Sequence, residues 1–178
     1  MSMNNLQFIK FDPIIDSFNT ISGQNGIYIV VLREGCNLPK TMYQPIFQLY
    51  ENLRVIYVGQ TKDGLYSRIG KKHFNGTGGS STLRKSIGCL LGFPLIPRSK
   101  RNPNDGKTTF EKSDESKLSE WMKRNLIVYY IPMLSNIDEE EAKLICSYSP
   151  PLNLKSVPFD ENQSFRAELS LLRSKHSR

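Results

Sequence analysis

The sequence predicts an α+β domain, a small central three-stranded, mainly antiparallel β-sheet flanked by helices. Residues 26–32 (GIYIVVL), 54–58 (RVIYV) and 126–133 (LIVYYIPM) are short runs of β-branched and aromatic residues, the pattern of strands. Four or five segments between and after them carry apolar residues at helical spacing. The two early strands lie close enough in sequence to pair antiparallel.

In chain order, strand 26–32 runs from SGQN to REG, both turn-prone. Residues 35–53, with YQPIFQLYENL, read as a short helix or a loop packed on the sheet. Gly59 ends strand 54–58, and QTKDG turns the chain. Leu65 and Ile69 then share one face of a short helix. GTGGSS interrupts the chain, and Ser80 or Ser81 caps a helix whose Leu83, Ile87, Leu90 and Leu91 form a stripe. Gly92 and Pro94 close that helix. Residues 96–112 are polar and net positive, a surface loop or short hairpin. Ser113, ahead of Asp114 and Glu115, opens a helix with Leu118, Trp121 and Met122 facing inward. After the third strand, NIDEEEAKLICSYS is a helix that Pro150 and Pro151 must stop. In the tail, Phe165, Leu169 and Leu172 have helical spacing among Arg166, Arg173, Lys175 and Arg178. The organisation read from this is an N-terminal extension (1–25), a domain (26–155) and a basic C-terminal tail (156–178).

A chain of 178 residues is long enough for a single core, and 38% hydrophobic content is that of a globular protein. Its net charge of +7 points to a polyanionic partner, with nucleic acid first. Cys36, Cys89 and Cys146 are too far apart for a zinc-type pair and too few for a disulfide framework. The start lacks a leader pattern, and no segment has the roughly 18 apolar residues of a membrane helix. The expectation is a cytoplasmic protein without a membrane partner.

Singly, the chemistry-bearing residues have ordinary readings. Strand tyrosines such as Tyr28 and Tyr57 usually fill a core, and Arg68, Lys71 and Lys72 make a solvated helix face. His73 suits a surface, Glu141 completes a capping box begun by Asp138, and Asn153 suits a turn after two prolines. Their order carries more information. GIY (26–28) on one strand and YVG (57–59) on the next precede Arg68 and His73, and then Glu141 and PPLN (150–153). This set resembles the GIY-YIG nuclease superfamily over Gly26 to Asn153. Residues 33–53 then become an insertion between strands that compact members join by a short link. The family pattern puts His or Tyr four residues after the arginine. Here Lys72 holds that place and His73 follows it, so a role for His73 requires the helix to end or bulge before it.

The resemblance implies a metal-dependent DNA endonuclease with catalytic residues Tyr28, Tyr57, Arg68, His73, Glu141 and Asn153. Tyr28 acts as general base if a nearby cation lowers its pKa, and Arg68 offers a planar fork of donors to the scissile phosphate. Glu141 is the metal ligand, for Mg²⁺ or Mn²⁺ with water and phosphate oxygens completing the shell. Tyr57 holds the phosphate or attacking water, and Asn153 orients a neighbour or binds backbone. Six basic residues lie between Lys62 and Lys85 against one acidic residue, Asp63. Of these, Lys62, Lys71, Lys72, Arg84 and Lys85 are the candidate nucleic-acid contacts. Target choice falls to the insertion, the 96–112 loop, the basic tail, a homodimer or a partner. The alternative is a non-catalytic nucleic-acid-binding module that keeps the fold, and a ribonuclease differs only in substrate.

Overall fold

The computed structural model of the chain describes residues 7–155, 157 and 160–174. Residues 1–6 and the tail's Lys175 and Arg178 lie outside them. The main sheet comprises β1 (Ile9–Phe11), β2 (Gly26–Leu32), β3 (Leu49–Tyr50), β4 (Leu53–Thr61) and β7 (Leu126–Pro132). A separate hairpin pairs β5 (Ile96–Pro97) with β6 (Thr108–Thr109). Helices α1 (Thr82–Leu90), α2 (Lys112–Asn125), α3 (Ile137–Tyr148) and α4 (Gln163–Ser174) are joined by a π-helix, Tyr66–Phe74. Among the described residues, none of these helices is long and apolar enough to cross a membrane.

The α+β class and the antiparallel pairing hold, but the sheet has five strands in the order β1-β7-β2-β4-β3, not three. The three expected strands are its centre, and the two additions are edges. β1 is three residues long with two of them exposed, so it has no apolar alternation to reveal it. β3 has two residues and joins β4 through Glu51 and Asn52, both at positive φ. That two-residue turn with both φ positive matches the twist of the strands it joins. The stretch read as a helix or loop therefore ends in a hairpin.

β2 is buried along its whole length because helices cover both faces of the sheet. Tyr28, Val30 and Leu32 face one core with Ile69, Leu83, Leu118, Phe165 and Leu169, so the π-helix, α1, α2 and α4 all lie on that side. Ile27, Ile29 and Val31 face the other, against Ile137, Leu144 and Ile145 of α3. The alternation follows from the two-residue period of a strand. α4 is thus part of the core, with Phe165 and Leu169 at or below 1% exposure.

Candidate active site

The insertion leaves the strand pairing intact. β2 and β4 run antiparallel with Tyr28 opposite Gly59 and Val30 opposite Tyr57, which puts both tyrosines on one sheet face. The register shifts between Val30 and Val31, so Ile56 is an extra residue and β4 bulges next to Tyr57. Gly59 is dictated by space. A Cβ there would lie 2.4 Å from the Tyr28 hydroxyl, 2.5 Å from its Cζ and 2.8 Å from Tyr57 Cε1. The Tyr28 phenol lies across the glycine and could not do so over any other residue.

The segment after the turn resolves the one-residue offset between Arg68 and His73. In an α-helix, residues five apart point about 140° away from each other. Tyr66–Phe74 is a π-helix, whose hydrogen bonds close over five residues instead of four, so that Arg68 and His73 share a face. The apolar spacing supports the wide turn. Leu65, Ile69 and Phe74 are each 0% exposed, whereas α geometry would turn Phe74 about 180° from Leu65. Asn75 closes the last turn, with its backbone N–H and side-chain amide both donating to Gly70 O. A π segment of this length is uncommon, and such segments concentrate at functional sites.

The result is a cluster on the Tyr28 hydroxyl. His73 Nε2 lies 2.7 Å from it, and Arg68 Nε donates to it at 3.3 Å. The Tyr57 ring lies beside them, 6.3 Å from that of Tyr28 and 6.1 Å from His73. On its far side, His73 Nδ1 lies 2.6 Å from Ser81 Oγ, the N-cap of α1. His73 is 1% exposed, and burial, followed by the charges of Arg68, Arg84 and Lys72, holds its pKa well below the usual 6.5. The imidazole is neutral at pH 7. Tyr28 departs from expectation: burial raises its pKa well above 10, Tyr57 adds to the rise, and Arg68 only partly opposes it. Its hydroxyl is protonated at neutral pH.

Glu141 and Asn153 come from late in the chain and meet this cluster at Tyr57. A cavity of about 600 Å³ is lined by Tyr57, Glu141 and Asn153, together with Lys85 and Arg173. Burial raises the Glu141 pKa, and Asp138 adds to this, while Arg68, the Gln60 backbone N–H and Lys62 oppose it. Glu141 thus shares a cavity wall with Tyr57. Asn153 is buried, and both ends of its amide are used: Oδ1 accepts from Val58 N–H at 2.9 Å and Nδ2 donates to Val58 O at 2.8 Å. It clamps the loop after Pro150 and Pro151 to β4 beside Tyr57, and so binds backbone.

The basic residues divide. Lys62 is exposed and pairs with Asp138 at 2.6 Å, Lys71 lies over the Tyr66 ring at 5.3 Å, and Lys72 is 3.8 Å from Asp63. Lys72 is thus not among the groups that hydrogen-bond the Tyr28 hydroxyl, as His73 and Arg68 are. Lys85 is half-buried at the cavity wall. Arg84 corrects the sequence reading. It is 0% exposed, paired with Glu115 at 2.7 Å, and donates to His73 O, Phe74 O and Ser119 Oγ, so it cannot reach a nucleic acid. Its position four residues before Gly88 on the inner side of α1, not its charge, decides its fate. Sequence reading also passed over Ser81 as more than a cap, and over Arg173 as more than part of a tail. The five-residue step from Arg68 to His73, matched by that from Ile69 to Phe74, was the available signal for the π-helix.

A family model described as the GIY-YIG catalytic domain matches residues 26–175, from the first tripeptide through α4. No curated protein and no solved structure matches the chain. The paired tripeptides, the π-helix and the match over most of the sequence agree, and the chain belongs to the GIY-YIG family.

Proposed function

We propose that the chain is a metal-dependent endonuclease that hydrolyses phosphodiester bonds in DNA. The observation that carries this is the convergence of His73 and Arg68 on the Tyr28 hydroxyl, with Tyr57 beside them. Family membership supports nuclease chemistry, and the net charge of +7 supports a polyanionic substrate.

Because Tyr28 is protonated and His73 neutral, the pair works as a relay. With its one hydrogen on Nδ1, donated to Ser81 Oγ, His73 leaves Nε2 to accept from the Tyr28 O–H. Ser81 Oγ already accepts from Arg84 N–H at 3.0 Å and keeps a second lone pair for this bond. When water attacks phosphorus in line, the Tyr28 oxygen takes the water proton as its own proton passes to His73 Nε2. Arg68 steadies the Tyr28 oxygen during this exchange and holds the negative charge that develops on the phosphate. Tyr57 positions the phosphate, and Asn153 keeps β4 and the Glu141 side of the cavity in register.

Glu141 is the residue that would hold Mg²⁺ or Mn²⁺. A hard cation there would take the Glu141 carboxylate, with water and phosphate oxygens completing its shell; among the described residues no three His, Cys, Asp or Glu side chains cluster. When bound, such an ion supplies Lewis-acid charge against the phosphate and the leaving oxygen.

Incubating supercoiled plasmid with the protein and Mg²⁺ or Mn²⁺ tests the reading, with RNA in a parallel arm. The expected result is nicking of DNA that Glu141→Ala reduces by about 10³-fold or more. Wild-type protein that cuts no DNA, or a Glu141→Ala variant that cuts at the wild-type rate, sinks it. Binding without cleavage would identify the non-catalytic module instead, and cleavage of RNA alone a ribonuclease.

A further inference from the structure

Three arginines are held by carboxylates, whereas the half-buried Arg54, Arg68 and Arg173 have none among the described residues. Arg84 is paired with Glu115, Arg166 with Asp160, and Arg33 with Asp12, at 2.7, 2.5 and 2.6 Å. Each partner is a carboxylate, as a desolvated cation requires. Arg173 on α4 is half-buried, yet it has no carboxylate partner among the described residues. Its one described hydrogen bond is to Ser86 Oγ at 3.3 Å, which leaves most of the donor fork unused. Lys85 on α1 is alike: half-buried, bonded only to Thr108 Oγ1 at 2.8 Å, and without a carboxylate among the described residues.

The charge of Arg173 also reaches Lys85. Burial lowers the pKa of each, and Arg173 adds to the effect on Lys85. Two like charges brought together with little water are unfavourable unless an anion completes the site. Both line the cavity that holds Tyr57 and Glu141, and Lys155 adds a third positive charge to its wall against the single carboxylate. Ser86 and Thr108 steady the two side chains without neutralising them, which leaves the charged ends free for a ligand.

We propose that Lys85 and Arg173 form a second phosphate subsite, which holds a non-scissile backbone phosphate of the nucleic acid in the cavity next to the cutting site. This rests on the nuclease reading and extends it: the C-terminal helix becomes part of the substrate groove. An arginine fork and an ammonium are suited to phosphate oxygens, and neither reads a base from there. The subsite adds affinity and register, not sequence choice.

The test is binding of a short fluorescent DNA duplex in EDTA, followed by anisotropy between about 50 and 200 mM salt. Lys85→Gln, Arg173→Gln and the double variant are compared with wild type, and thermal unfolding checks that each folds. Each substitution should weaken binding severalfold and lower the slope of log Kd against log salt by about one. Arg173→Lys, which keeps the charge, should recover most of the lost affinity. In cleavage, the loss should appear in KM and shrink at saturating DNA. Wild-type protein that cuts DNA while the folded double variant binds with unchanged affinity and slope overturns the subsite and leaves the nuclease reading standing. Wild-type protein that binds but does not cut, with binding weakened in the variants, overturns the nuclease and keeps the subsite. If wild type binds no DNA, both fall.

Discussion

Replacing Gly59 by alanine would add a single methyl group at the closest approach of β4 to the Tyr28 phenol. The new Cβ would sit 2.4 Å from the hydroxyl oxygen, where ordinary contact begins at 3.4 Å. Relief requires the phenol or the strand to move by about 1 Å. Gly59 is not at positive φ, so alanine is acceptable to the backbone and the effect is one of space alone. A shift of that size stretches the 2.7 Å contact between Tyr28 and His73 beyond hydrogen-bond range. Overpacking of this kind costs about 1–3 kcal/mol of stability. A misplacement of about 1 Å in a catalytic group costs roughly 10²-fold in rate. Gly59→Ala should therefore fold, with a modestly lower Tm, and nick plasmid at about one hundredth of the wild-type rate. Rates on supercoiled plasmid and thermal unfolding measure the two effects separately. A Gly59→Ala protein that cuts at the wild-type rate would refute the reasoning, because Tyr28 would then have moved without consequence.

His73 is the one histidine among the described residues, and it makes stability depend on pH. Its folded pKa is held well below 6.5, so below about pH 6.5 the unfolded chain binds a proton that the folded chain does not. The stability present above 6.5 should fall by about 1.4 kcal/mol per pH unit until the folded pKa is reached. Denaturant midpoints between pH 7.5 and 5 should show this slope, and His73→Gln should flatten it; Glu141, raised by burial, works in the opposite direction and can be removed as Glu141→Gln. An equal slope in the His73→Gln protein would count against a buried neutral imidazole. Arg84→Met strands the buried Glu115 carboxylate and should cost about 3–5 kcal/mol in a urea titration, whereas a surface cation would cost almost nothing. Asn153→Ala leaves the Val58 N–H and C=O unpaired in the core, at about 1–3 kcal/mol for each. An Asn153→Ala protein of unchanged Tm that loses DNA binding would place that side chain on the substrate instead.

The centre of this fold was legible because its strands are long enough to show a pattern. GIYIVVL is buried on both faces, and an unbroken β-branched run announces that. The edges were not, since Ile9–Phe11 and Leu49–Tyr50 are too short for any periodicity and owe their form to the neighbour they pair with. The site residues were readable as types in order, but their geometry was not. Nothing in an α-based reading puts Arg68 and His73 on one face, and the wide helix that does so depends on burying Leu65, Ile69 and Phe74 together. Arg84 shows the reverse failure. Its charge suggested a surface, and only tertiary packing reveals the carboxylate of Glu115, 31 residues away, that makes burial tolerable. The fall in Tyr28 pKa expected from a neighbouring cation does not occur either, because full burial outweighs Arg68.

Tyr28→Phe probes the central claim with the least disturbance. It removes one oxygen from a ring that is 0% exposed and keeps the packing on Gly59. The measurement is the rate of nicking of supercoiled plasmid in Mg²⁺, with Tm as the control for folding. The account predicts a loss of about 10²–10⁴-fold, the range for deleting a proton-transfer group, in a protein that still folds, with a Tm lowered by the loss of about 1–3 kcal/mol of stability because His73 Nε2 loses its partner. A Tyr28→Phe protein that nicks at the wild-type rate would contradict it.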